Sequence, residues 1–178
     1  IGAIERKLVD GFNYFSIPAV TDDKYSLDDI FTNHELKFQD TSISDKIESI
    51  WTYREGKWKN YHPSAPSNDF NTLEAGQGYI VDAKENFTVY PAVDTNLSRV
   101  DSDSLVLPAE NDISRGWNLI GSYWTDPKYS NQTGAFNSMP EDHITEVLYS
   151  DRNGEIGLKK LRGGDIKSGR AYWISAKS

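Results

Sequence analysis

Gly116-Trp117-Asn118-Leu119-Ile120, running on into Gly121-Ser122-Tyr123-Trp124, has an echo near the start of the chain. There Gly11-Phe12-Asn13-Tyr14-Phe15 repeats the glycine–aromatic–asparagine opening before another apolar run of strand length. Such a repeat is either one site used twice or one structural unit used twice. Two further landmarks decide for the unit. Leu73-Glu74-Ala75-Gly76-Gln77-Gly78-Tyr79-Ile80-Val81 parallels Ile166-Lys167-Ser168-Gly169-Arg170-Ala171-Tyr172-Trp173-Ile174. Between them, Ile50 to Gly56 aligns loosely with Val147 to Gly154. Three landmarks in the same order read as a duplication, with shorter loops in the second half.

The local patterns are those of strands. Ile50, Thr52 and Arg54 alternate with Trp51 and Tyr53, and Glu55-Gly56 marks a turn into Lys57 to Tyr61, which predicts a hairpin. In the second half, Thr145 to Ser150 and Glu155 to Leu161 flank Arg152-Asn153-Gly154, and Asn-Gly suits a type I′ turn. Gly78 to Ala83 and Arg170 to Ala176 read as closing strands, with Arg6 to Val9, Asn86 to Tyr90 and Leu105 to Leu107 as further strands. Helix is sparse. Ser26 to Phe31 has an N-cap residue, acids in its first turn and apolar spacing; Thr133 to Met139 is its weaker counterpart, and Asn71 to Ala75 is read as one turn. The polar, acidic run Asp94 to Asp103 reads as a linker. The expected fold is mainly β (β-rich α+β): two tandem related small β domains, residues 1–97 and 98–178, each with hairpins and at most one or two short helices.

These landmarks together resemble a β-rich repeat module. That module recurs, often in tandem, in archaeal surface-layer-associated and other exported proteins, and in some bacterial secreted proteins. Gly116 to Ile120 matches its opening fully, and Gly11 to Phe15 matches with Phe and Tyr substituted. Gly76 to Ile80 carries its closing motif, from which Gly169 to Trp173 departs at Ala171. The resemblance implies an extracellular or cell-surface location, display or binding duties, and no catalytic residues.

Composition narrows the function classes. The chain has 178 residues, 37% of them apolar and 26% charged, with 5 Trp, 10 Tyr and 7 Phe, which is a folded and strand-leaning composition. A formal net charge of −8, with no cluster of Lys and Arg, argues against nucleic acid or an anionic membrane as partner. The lack of cysteine removes disulfides, thiolate nucleophiles and Cys-based zinc sites. No apolar run approaches the ~20 residues of a membrane span. No signal peptide is read, and a start at Ile1 rather than Met suggests a processed product or an excised piece.

No catalytic constellation stands out. His34, His62 and His143 are isolated, there is no nucleophile elbow, and Gly163 to Gly169 lacks the spacing of a phosphate loop. No two of the many carboxylates are singled out as a glycosidase pair. Calcium is the one candidate cofactor, through hard oxygen ligands in loops, Asp101 and Asp103 foremost. The remaining candidates are aromatic. Trp58, Tyr61, Tyr123, Trp124 and Tyr129 sit at strand ends or turns, where an exposed ring can pack on a sugar or a protein, whereas Trp51, Tyr79, Trp117 and Trp173 read first as core. Asn86, Asn96 and Asn131 open N-x-Ser/Thr sequons, acceptors for glycosylation on export. The expected function is a non-enzymatic, exported surface module, structural or adhesive, with other surface proteins or glycans as partners. The alternative is a carbohydrate-binding accessory region of a larger secreted enzyme.

Overall fold

Fourteen strands, a four-residue helix and helical residues at Leu27 and Phe31 order the described chain in a computed structural model. The structure describes residues 2–3, 5–17, 24–27, 31, 42–74, 76–89, 92–93, 113–121, 143–150, 157–161 and 169–177. In the first half the strands are β1 (Gly2–Ala3), β2 (Arg6–Leu8), β3 (Gly11–Phe15), β4 (Lys24–Ser26), β5 (Ile47–Arg54), β6 (Lys57–Tyr61), β7 (Thr72–Glu74), β8 (Tyr79–Ala83), β9 (Phe87–Val89) and β10 (Ala92–Val93). In the second half they are β11 (Gly116–Gly121), β12 (Ile144–Tyr149), β13 (Lys159–Lys160) and β14 (Ala171–Ala176). Helix α1 is Ile43–Lys46, where Ser42 and Asp45 form a reciprocal capping box. The chain is mainly β, as the aromatic alternation predicts.

Two four-stranded antiparallel sheets share one topology. The first runs β3-β8-β5-β6 and the second β11-β14-β12-β13, so the opening strand of each landmark set pairs with the closing strand. The likeness extends to single atoms. Gly11 and Gly116 have φ of +94° and +93°, a conformation that favours glycine. Asn13 accepts from Val9 N and donates to the carbonyls of Val9, Gly11 and Val81. Asn118 makes the same four bonds with Ser114 N and the carbonyls of Ser114, Gly116 and Ile174. A register shift interrupts β5 between Ile47 and Ser49, and β12 between Ile144 and Glu146, at matching places. The glycine–aromatic–asparagine opening is therefore a backbone device. Glycine takes the positive φ, and asparagine ties the incoming chain to the strand beneath it.

Sheet alternation gives each sheet two faces. On the first, Phe15, Ile50, Tyr79 and Val81 turn to a core closed by Leu27, Phe31, Leu73, Val89 and Ile43 of α1. On the second, Val147, Tyr172 and Ile174 turn to a core with Ile120, Ile144, Tyr149 and Leu161. The opposite faces meet each other. Tyr14 and Ile80 pack with Leu119 and Ala171, flanked by Phe12, Trp51, Tyr53 and Trp173. Backbone bonds cross the joint in a reciprocal pair, Ser16 N donating to Gly169 O at 3.1 Å and Gly121 N to Gly76 O at 2.9 Å. Ser16 directly follows β3 and Gly121 ends β11, at equivalent positions, and Gly76 and Gly169 both have φ of +80°. Exchanging the halves thus exchanges the two bonds, the mark of an approximate two-fold axis. Arg6 stitches the same joint, its guanidinium donating to Gly169 O and Tyr14 O; burial, with Arg170 nearby, lowers its pKa to about 10.

Some expectations change. Residues 72–74 form β7 against β4 rather than a helical turn, because Leu73 is wanted in the core and pairs with Tyr25. Leu27 and Phe31 are helical and buried, matching the ends of the expected first helix. Trp117 is 42% exposed rather than core, since only part of its strand is covered by the opposite sheet. The join near residue 97, the 105–107 strand, the 133–139 helix and the 152–154 turn lie outside the described residues.

Candidate functional site

Trp51 and Tyr53 on β5, and Trp58 on β6, fall on the face turned towards the second sheet. The two-residue turn fixes this. Glu55 and Gly56 both have positive φ, +52° and +74°, so Arg54 pairs with Lys57 and Tyr53 with Trp58. The Tyr53 and Trp58 rings meet edge-on, with centroids 5.2 Å apart at 67°. Trp51 meets Trp58 at 6.4 Å and 82°, and His62 at 5.9 Å and 86°. From the second sheet, β14 supplies Trp173, 5.5 Å from Tyr53 and 5.7 Å from Trp58.

Polar anchors hold the rings. Trp173 Nε1 donates to Tyr14 Oη at 3.1 Å, and Trp51 Nε1 donates to Ser49 Oγ at 3.0 Å. Burial raises the pKa of the Tyr14 phenol above its ordinary value, which the bond from Trp173 opposes. Within this packed group Trp58 remains 51% exposed, and Lys57 and Lys59 beside it in sequence are exposed too. Leu158, which stands in the second half where Trp58 stands in the first, is 41% exposed. The result is a half-open aromatic surface at the joint, with Lys57 and Lys59 on the opposite face of β6. A surface of this kind offers apolar ring area for contact and desolvation.

Of the sequence-predicted aromatics, Trp58 lies at the centre of this surface. Tyr61 lies on the opposite face of β6 against Phe70, with centroids 6.2 Å apart. Tyr123, Trp124 and Tyr129 lie outside the described residues. Trp51, Tyr53 and Trp173 join Trp58 instead. The hairpin register already put the first two beside it, but nothing in the sequence brings Trp173 across from the other half. Asn86 is exposed and precedes β9; its Oδ1 accepts from Asp10 N at 2.9 Å. Asn96, Asn131, Asp101 and Asp103 lie outside the described residues, among which no group of three or more His, Asp or Glu could hold a metal ion.

Two other titrating groups are displaced. Burial raises the pKa of the Tyr79 phenol, which accepts from Glu74 N at 2.8 Å. Asp82 is raised by burial, then by the nearby charges of Glu48 and Asp10. Comparison with protein-family models, with curated proteins and with solved structures returns no match.

Proposed function

We propose that this chain is a non-enzymatic, exported surface module, structural or adhesive, that engages other surface proteins through the aromatic joint between its two sheets. The observation that carries this reading is Trp58. A tryptophan half exposed, yet held on three sides by Trp51, Tyr53 and Trp173, is a preorganised anchor that loses little freedom on binding. The rings stand at 61° to 82° to one another. A flat carbohydrate platform needs coplanar exposed rings, so these angles favour a protein contact over the sugar alternative. The exported location rests on the sequence resemblance and on the sequons, of which Asn86 is exposed.

Two measurements test this. Protease treatment of intact source cells should remove the native protein, and a protein protected until lysis would refute the surface location. Glycan-array binding by the purified chain that is abolished by Trp58→Ala would replace the protein-contact reading with carbohydrate recognition.

A further inference from the structure

β6 is an edge strand. Among the described residues it pairs only with β5, and it stands last in the order β3-β8-β5-β6. In the hairpin Arg54 and Lys57 flank the two-residue turn, so Lys57, Lys59 and Tyr61 spend their backbone groups on β5. Trp58 and Asn60 point theirs the other way. Asn60 shows this directly: its N–H donates to Asp69 Oδ2 at 2.9 Å, and its carbonyl accepts from Asp69 N at 3.2 Å. The 62–69 turn therefore closes the edge at Asn60 and stops there. One position earlier in the outward series, the N–H and C=O of Trp58 make no hydrogen bond among the described residues. An open N–H and C=O beside an exposed ring and two exposed lysines is a strand-docking unit.

Building on the protein-contact reading, we infer that β6 takes up an extended partner segment as an added strand, and that this segment alternates acidic, apolar, acidic. Geometry sets the alternation. A docked residue opposite Trp58 exchanges both backbone hydrogen bonds with it and projects its side chain onto the face that carries the Trp58 ring. Its two neighbours project onto the other face, opposite Lys57 and Lys59. Both lysines are exposed and form no ion pair among the described residues, in a chain whose net charge is −8. An apolar residue flanked by two carboxylates satisfies all three positions. A second copy of β6 does not, because it sets lysine against lysine.

The probe is a capped peptide with a Thr-Glu-Phe-Glu-Thr core, compared with a Thr-Glu-Glu-Phe-Thr peptide of the same composition. Binding is read by calorimetry, and the Trp58 amide by hydrogen exchange. The alternating peptide should bind and slow exchange at Trp58. Lys57→Glu/Lys59→Glu should weaken it about fivefold or more, as two exposed ion pairs allow. A Thr-Lys-Phe-Lys-Thr core should recover binding to that double variant. Equal binding of the two glutamate peptides, or unchanged exchange at Trp58, overturns strand addition. If the alternating peptide fails while intact cells still expose the protein to protease, the strand proposal falls and the surface location stands.

Discussion

Replacing Gly121 by alanine tests the joint on which the site depends, and Gly116→Ala in the same strand is its control. A Cβ built on Gly121 lies 2.1 Å from Ser16 Cβ and 2.6 Å from its Oγ. Ordinary carbon–carbon contact is about 3.5–4.0 Å, so Ser16 must retreat by roughly 1.5 Å. It cannot do so while bonded, since Ser16 N donates to Gly169 O at 3.1 Å and its Oγ donates to Arg170 O at 2.7 Å. Overpacking costs about 1–3 kcal/mol. Losing the two bonds adds about 1 kcal/mol each. Gly121→Ala should therefore destabilise the chain by about 3–5 kcal/mol. At Gly116 nothing lies within 4 Å, and the only cost is a side chain at φ +93°. That cost is roughly 1–2 kcal/mol. Urea unfolding reads the difference. With a slope near 2 kcal/mol per molar, Gly121→Ala should lower the midpoint by about 1.5 M or more, and Gly116→Ala by under about 1 M. Equal costs would refute the close approach of the two sheets, as would unchanged Tyr53–Trp173 ring contacts by NMR in the Gly121 variant.

The two asparagines give a second contrast, because their bonds match and their burial differs. Asn13 is buried and Asn118 is half-buried, so Asn13→Ala should cost about 3 kcal/mol and Asn118→Ala about 1–2, read by the same unfolding midpoints. Equal losses would show that burial does not set the cost of the freed backbone groups. A third test uses pH. Asp82 holds its proton to higher pH in the folded chain than in the unfolded one. Folding is therefore penalised as pH rises from the ordinary carboxylate value through the raised one. Asp82→Asn should raise the unfolding midpoint at pH 7, with the gain vanishing below the ordinary carboxylate range; a lowered midpoint at pH 7 refutes the assignment.

The repeated openings, the Glu55-Gly56 hairpin and the closing strands were legible because each is a local rule. A repeated residue triplet, a two-residue turn and a period-two apolar pattern are written in neighbouring residues, whereas the positive φ of Gly11 and Gly116 came from the structure. The same rule misplaced residues 72–74, where pairing with β4 overrides a weak turn signal. Trp117 and Trp173 show where local reading ends. Both belong to repeat landmarks and both read as core, yet one is 42% exposed and the other reaches the ring cluster of the first half.

What the sequence determined alone is the repeated unit in outline: its Gly-aromatic-Asn opening, its central hairpin and its closing strand. Only the tertiary structure decided how the two units meet. The meeting depends on which face of each sheet is left bare and on whether backbones can approach at Gly78 and Gly121, where a Cβ would clash. Those contacts join residues far apart in the chain, and packing, not periodicity, selects them. They are also what brings Trp173 of the second sheet against Tyr53 and Trp58 of the first.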